Sequence, residues 1–516
     1  MSPPDVADSV AAADLVGPGQ ILSRSAARYG DRLALVTDGT SLTYAELDRS
    51  SDHLAAALVG RGIQPGDVVS LVSQNRWEWI VAYHGALKAG AVVNPVNVML
   101  TAEELLFVLG DCNTVALFGS SDRLAAVSSI VDDLPHLRTV VSFDDGPLTF
   151  AALLDEGRSL EVPTVRPRPR DACSIGYTSG TTGHPKGAVQ SHQAVLLNCA
   201  LTATMHGRSE RDVVVTALPA PHVYGNVVIN GTFLVGGTVV LMSRFDVDSA
   251  LDLIAEHRAT MFEGVPAMYA SMLASDRLAH TDLSSLTRCT VGGQIIPIPV
   301  VERWQRASGA PLIELWGMTE IAGLGTTHSV HAPPVPGSIG VSLPGIEVRI
   351  RDLEDSTRAV PPGQPGELMI RGPIVMSGYH NNPNATAETI DADGWLHTGD
   401  LAEMSEDGHL FVVDRLKDMV ITAGYNVYPA EIERVLADHP AVAMVAVGPL
   451  PDPIKGELAC AYVVLRTGSA ATEDELIEFT VDRLAAYKRP RRVRFVTDLP
   501  KTSSGKIMRR ELIKSY

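Results

Sequence analysis

The feature that most constrains this chain is a regular alternation of short apolar runs with longer amphipathic ones. LTYAELDRSSDHLAAALVGRG opens on Thr43 with Glu46 three residues on, a capping box ahead of an amphipathic helix. Pro65-Gly66-Asp67 is turn chemistry, and VVSLVS after it is a short buried strand. WEWIVAYHGALKAG then reads as a helix stopped by Gly90, and AVVNPV as the next strand. Strand-helix-strand units at this spacing demand crossover helices and a parallel sheet.

At 516 residues, with 45% hydrophobic and 20% charged, the chain can fill about three to four domain-sized units. There is no fixed-period repeat. Pro- and Gly-rich segments bracket IEVRIRD and GELMIRG, which predicts a β-rich subdomain. Past Asp414 the texture becomes compact α+β: AEIERVLADHPAV, VAMVAVG, ACAYVVLR, DELIEFTVDRLAA, RRVRFVTD. The expected fold is α/β: a large N-terminal domain of parallel-sheet αβαβα layers with a β-rich subdomain, then a small α+β C-terminal domain. The expected bounds are 1–414 for the large domain, 415–418 for a hinge and 419–516 for the small domain.

Charge and cysteine usage exclude several function classes. Lys+Arg number 42 against 60 Asp+Glu, a formal charge of −18, which disfavours nucleic acid or an anionic membrane as main partner. The dense basic run Lys488-Arg489-Pro490-Arg491-Arg492 reads as a solvated or phosphate-facing loop in that context. The five cysteines are scattered with no CxxC pair, so neither a zinc site nor a disulfide framework is indicated, and a cytoplasmic location is expected. MSPPDVADSVAAADLV lacks the pattern of a signal peptide. Val213 to Ser243 carries no formal charge, but Pro and Gly divide it into strand, loop, apolar helix and strand rather than a membrane span. A soluble chain is expected.

Five segments carry chemistry. Tyr177-Thr178-Ser179-Gly180-Thr181-Thr182-Gly183-His184-Pro185-Lys186-Gly187 combines glycines, hydroxyls and a lysine, a set suited to cradling phosphate. It is not a Walker A loop, and read alone it also fits a polar surface turn. Glu314-Leu315-Trp316-Gly317-Met318-Thr319-Glu320 ends in a hydroxyl beside a carboxylate, suited to Mg²⁺ held together with substrate phosphates, although Thr-Glu pairs also cap helices. His397-Thr398-Gly399-Asp400-Leu401 and Asp414-Arg415-Leu416-Lys417-Asp418 offer an Asp and an Arg for ribose hydroxyls; the plain alternative is an exposed ion pair. Lys506, after Ser503-Ser504-Gly505, is either a mobile catalytic cation or a solvated tail lysine.

The wording and order of these motifs closely resemble the adenylate-forming (AMP-binding) superfamily, in its acyl-CoA synthetase branch, from about Thr43 to the C-terminus. YTSGTTGHPKG is similar to the family's phosphate loop, ELWGMTE to its metal and nucleotide motif, and HTGDL to its ribose segment. DRLKDMVITAGYNVYPAEIE is similar to its hinge, and KTSSGKIMRREL to the segment with its catalytic lysine.

The resemblance implies a mechanism: a carboxylate and Mg-ATP give acyl-AMP and pyrophosphate, and the acyl group then passes to coenzyme A. It assigns Thr178, Ser179, Gly180, Thr181, Thr182 and Lys186 to the phosphates, Glu320 to Mg²⁺ and Thr319 to the α-phosphate. Gly292, Gly293, Gln294, Trp316, Gly317 and Met318 would line the nucleotide site, and Asp400 and Arg415 would bind ribose. Lys506 would bridge carboxylate and α-phosphate, with Thr319, Glu320 and His222 as its catalytic company. Lys417 takes the hinge position of a mobile small domain, and Gly424 and Tyr425 the coenzyme A tunnel. Trp316 departs from the family's usual Tyr while keeping an aromatic platform.

For the acyl pocket the resemblance points to His222, Val223, Tyr224, Gly225, Asn226, Val265, Met268, Met318, Gly323 and Gly325. None of these is Asp, Arg or Lys, which disfavours amino acids and dicarboxylates. The expected substrate is therefore a medium- or long-chain fatty acid, with an aryl acid as alternative. An acyl carrier protein acting in trans is the alternative acceptor, and a homodimer is compatible with the chain. A non-catalytic nucleotide-binding module fits less well, because Glu320, Asp400, Arg415 and Lys506 are all present.

Overall fold

The computed structural model describes residues 14–128, 131–178, 185–355, 358–422, 425–452, 455–501 and 507–508. The Thr43 capping box is formed: Thr43 Oγ1 accepts the Glu46 N–H while Glu46 reaches back to the Thr43 N–H, opening helix Tyr44–Gly60. Helix Trp77–Lys88 ends before Gly90, which turns the chain at a φ of 83°.

Among the described residues, two large sheets form the bulk of the molecule. In the nine-stranded sheet the central strands Leu312–Met318, Arg288–Val291, Met261–Gly264, Val213–Thr216, Thr238–Leu241 and Leu33–Thr37 run parallel. In the seven-stranded sheet Thr139–Ser142, Thr114–Gly119, Val68–Val72, Val92–Pro95 and Ala172–Thr178 are parallel, and Lys186–Ser191 turns back antiparallel beside the last. Helices His192–Met205 and Val223–Leu234 lie between the sheets, apolar around most of their circumference because both sides are covered. The uncharged Val213–Ser243 stretch is thus a strand, this interior helix and a strand, and among the described residues no helix is long and apolar enough to cross a membrane.

IEVRIRD and GELMIRG pair as Glu347–Arg351 and Gly366–Arg371 in a four-stranded antiparallel sheet with Leu396–Met404 and Leu410–Arg415. One apolar core runs from Ile21 to Leu410, and a separate one from Val420 to Val493 fills the C-terminal α+β unit. Its DELIEFTVDRLAA segment is helical only over Glu473–Phe479, shorter than the apolar pattern suggests. All five cysteines are buried free thiols.

Candidate active site

The site is assembled where strand ends from three sheets meet. The phosphate-loop segment leaves strand Ala172–Thr178 and re-enters at Lys186–Ser191; Ser179, Gly180, Thr181 and Thr182 lie outside the described residues. Thr178 and Lys186 face each other at its base, with the Thr178 hydroxyl donating to the Lys186 carbonyl at 3.4 Å. Beside this hairpin, strand Leu312–Met318 ends in a short turn, Thr319–Ile321, as a hydroxyl-carboxylate pair at a strand end requires. Gln190 of the hairpin donates to the Thr319 carbonyl at 2.8 Å and fixes that turn. Gly317 is obligatory here, since a Cβ would stand 2.1 Å from the Gly323 carbonyl oxygen.

Glu320 is buried, and its Oε1 accepts from the Tyr379 hydroxyl at 2.9 Å. The same Tyr379 ring carries the Lys186 ammonium 5.3 Å from its centroid. Burial, with the Glu320 charge next to it, pushes the Tyr379 phenol up, so it stays a donor. Tyr379 lies outside every motif of the sequence that carries chemistry. It sits on the two-residue strand Gly378–Tyr379, which pairs with Val189 and Ala188 and carries no local sequence signal of its own. No cluster of three or more metal-ligating side chains occurs among the described residues. One buried carboxylate beside a phosphate-loop lysine nevertheless fits Mg²⁺, which takes few protein ligands and completes its shell with substrate phosphates.

Asp400 and Arg415 are cross-strand partners, and Arg415 Nε meets Asp400 Oδ1 at 2.8 Å. The exposed-ion-pair alternative fails, because Asp400 is only 3% exposed. Its other oxygen accepts the Trp316 indole N–H at 2.8 Å, a bond that joins the β-rich subdomain to strand Leu312–Met318. Each carboxylate oxygen retains a lone pair for a further donor.

The remaining expected residues fall in several places. His222 caps helix Val223–Leu234, its Nδ1 accepting the Tyr224 N–H at 3.3 Å. Tyr224 points into the core, where its hydroxyl meets Thr290 Oγ1 at 2.7 Å. Gly225 packs where a Cβ would strike the Pro219 carbonyl at 2.2 Å. Val223 and Asn226 line a narrow pocket with Tyr83, Ser174, Gln190 and Ala322. Val265 and Met268 stand at a different strand-helix corner, after strand Met261–Gly264, near Gly293 and Gly264. Gly292 is buried under Leu315, with Gly293 exposed at a φ of 89° and Gln294 half-buried behind it. Met318 is half-buried, Gly323 packs on Asn198, and Gly325 packs on Trp316.

Lys417 is exposed on the turn Leu416–Asp418. Tyr425 is exposed with its ring 4.8 Å from that of Tyr487. Gly424 and Lys506 lie outside the described residues. The basic run is occupied structurally: Lys488 pairs with Glu431 at 2.8 Å, Arg489 and Arg491 donate to backbone carbonyls, and Arg492 faces Glu473.

The AMP-binding enzyme family model matches residues 22–380, and the model of the AMP-binding enzyme C-terminal domain matches 431–506. The chain belongs to the AMP-binding enzyme family. It is 34% identical over 526 residues to a long-chain-fatty-acid–CoA ligase of Bacillus subtilis (strain 168), covering 96% of this chain and 93% of the relative. It is 38% identical over 483 residues to a feruloyl-CoA synthase of Amycolatopsis sp, covering 93% and 94%. Among solved structures, an anthranilate CoA ligase in complex with anthranoyl-AMP superposes with a TM-score of 0.90 at 29% identity, over 97% of each chain. The enzyme class is therefore that of AMP-forming acid–CoA ligases, which use ATP and coenzyme A.

Proposed function

We propose that this member activates an uncharged carboxylic acid, fatty or aryl, as an acyl-adenylate and transfers it to coenzyme A. The observation that carries the reading is the convergence of three hydrogen bonds, Gln190 to Thr319, Tyr379 to Glu320 and Trp316 to Asp400. They lock phosphate-loop hairpin, hydroxyl-carboxylate turn and Asp-Arg pair into one cleft. In the first step a substrate carboxylate oxygen attacks the α-phosphorus and the bond to the β-phosphate breaks, releasing pyrophosphate. Two anions must meet, so fixed positive charge and aimed donors lower the barrier.

Thr178, Ser179, Gly180, Thr181, Thr182 and Lys186 would hold the outer phosphates, and Thr319 the α-phosphate. Asp400 and Arg415 would take the ribose hydroxyls, with Gly292, Gly293, Gln294, Trp316, Gly317 and Met318 around the base. Glu320 would hold Mg²⁺, which supplies charge neutralisation for the phosphates. Lys506 would bridge the two anions. Domain bounds of 1–414, 415–418 and 419–516 belong to the same reading, with Lys417 as hinge. Gly424 and Tyr425 would then flank the pantetheine arm while the thiol attacks the acyl carbonyl and AMP leaves. His222, at the mouth of the interior helix, would border the reacting carboxylate. We assign the enzyme to the cytoplasm, on its five reduced thiols and its nucleotide substrates.

The test is AMP release with ATP and Mg²⁺ across straight-chain, branched and aryl acids, with and without coenzyme A, followed by mass spectrometry. Acyl-CoA from one acid class supports the reading. Acyl-adenylate that accumulates while coenzyme A goes unused replaces it with an acyl carrier protein in trans. The molecular mass of the active species decides between monomer and homodimer.

A further inference from the structure

The segment 376–380 is stitched to both halves of the phosphate end of the site. Its Met376 N–H donates to the Glu320 carbonyl at 2.8 Å. The Ser377 N–H donates to the Val189 carbonyl at 2.9 Å and the His380 N–H to the Gly187 carbonyl at 2.7 Å, both on the hairpin strand Lys186–Ser191. Tyr379 lies between these anchors, its own N–H held by Thr386 Oγ1 at 2.8 Å. The backbone is thus fixed without help from the Tyr379 ring and hydroxyl, which are left to act on the site.

That side chain touches both charges of the phosphate end at once. Its hydroxyl donates to Glu320 Oε1 at 2.9 Å, and its ring carries the Lys186 ammonium 5.3 Å from the centroid. Among the described residues Lys186 forms no ion pair with Glu320 or with any other carboxylate. A lysine on a flexible four-carbon stem is drawn onto a neighbouring carboxylate, the more strongly where that carboxylate is buried, as Glu320 is. Such a pair would cancel the cation that the outer phosphates need and occupy the carboxylate that Mg²⁺ needs. The phenol prevents it with neutral groups. Its hydroxyl satisfies one carboxylate oxygen, its aromatic face holds the ammonium, and each charge stays uncancelled.

We propose that Tyr379 is a positioning residue that holds Lys186 and Glu320 apart, keeping the cation for phosphate and the carboxylate for metal until both ligands arrive. This rests on the ligase reading above, in which Lys186 meets the outer phosphates and Glu320 meets Mg²⁺.

The test is calorimetric binding of ATP to the full chain, in EDTA and with saturating Mg²⁺, with no carboxylic acid present so that turnover does not enter. The ratio of the two dissociation constants is the gain from Mg²⁺. Tyr379→Phe keeps the ring and removes the hydroxyl. It should bind metal-free ATP within about twofold of wild type, while the gain from Mg²⁺ falls about threefold or more. Tyr379→Leu removes both contacts and should weaken metal-free binding about fivefold or more, because Lys186 folds onto Glu320. In a Glu320→Gln background the lysine has no carboxylate to fold onto, and the same Tyr379→Leu change should cost less than about twofold. That rescue distinguishes a spacer from a side chain that merely supports the fold, whose loss would be equal in both backgrounds. No loss in Tyr379→Leu, equal losses in the two backgrounds, or a Mg²⁺ gain unmoved in Tyr379→Phe would each overturn the inference while leaving the ligase standing. The Tyr379→Phe comparison decides alone if melting temperatures show that the Leu variants do not fold. If Glu320→Gln leaves the Mg²⁺ gain unchanged, or the wild type binds no ATP, the reading of the site itself fails, and the inference with it.

Discussion

Glu314 lies two residues before Trp316 on strand Leu312–Met318, and it is the carboxyl most displaced from its ordinary behaviour near the site. It is 7% exposed, its Oε1 accepts only the Gly337 N–H at 2.8 Å, and burial pushes its pKa up to about 7. A carboxyl raised in the folded state binds more protons there than in the unfolded chain, so its contribution favours folding below the unfolded value of 4.5 and is lost as pH rises through about 7. The displacement corresponds to about 3 kcal/mol at high pH. Glu314→Gln keeps the acceptor for Gly337 and removes the ionisation. The variant should be more stable than wild type in urea at pH 8 and equal to it below pH 4.5. Equal stability at both pH values would show that Glu314 is solvated. The sequence displayed Glu314 as one letter of a motif; its burial depends on Gly337, 23 residues away, which no local pattern encodes. The Trp316–Asp400 bond was hidden for the same reason. Both residues were legible as site candidates, but that an indole in place of a phenol would reach the Asp400 carboxylate depends on how two sheets meet.

At the scale of elements, local chemistry was legible and long-range anchoring was not. Capping boxes at Thr43 and the Pro-Gly turns set element ends through neighbours a few residues apart. What holds the interior helix Val223–Leu234 is a buried network that spans three elements. Arg208 and Glu263 form an ion pair at 2.5 Å with both side chains fully inaccessible. Arg208 also donates to Thr232 Oγ1 at 2.7 Å, while Thr290 donates to Glu263 Oε2 at 2.8 Å and contacts Tyr224. The network thereby ties both ends of the helix that carries His222 and Asn226 to strands of the large sheet. Removing one partner leaves a buried charge uncompensated, so Glu263→Ala should cost about 3–5 kcal/mol in denaturant unfolding. Glu263→Gln, which retains the Thr290 contact but not the charge, should recover only part of that loss. A Glu263→Ala variant within error of wild type would remove the pair from the account of how helix Val223–Leu234 is positioned.

The whole molecule joins two cores through very little chain. Strand Leu410–Arg415 ends the large unit and Val420 begins the small core, with the turn Leu416–Asp418 and Met419 between them. Asp414 spans that junction: its Oδ2 accepts the Ala430 N–H at 2.8 Å at the start of helix Pro429–Ala437, whose own N-cap Tyr428 supplies no side-chain cap. A composition change past Asp414 made two units legible in the sequence, but not this tie. If the small domain turns between the half-reactions, the change in backbone angles must fall on Leu416–Asp418, the segment packed into neither core. Proline at 417 would fix φ near −65° and restrict Leu416 as well. Lys417→Pro should therefore slow transfer of a supplied acyl-adenylate to coenzyme A by about tenfold or more while adenylation, followed as pyrophosphate release, changes little. On the proposed mechanism Lys506→Ala should do the reverse, lowering adenylation by about 10²-fold or more and sparing the transfer, because a cation bridging carboxylate and α-phosphate serves only the step where two anions meet. Opposite defects in the two variants would establish that one chain presents two faces to one cleft in turn. Parallel defects, both steps falling together in either variant, would mean that a single arrangement of the domains serves both reactions.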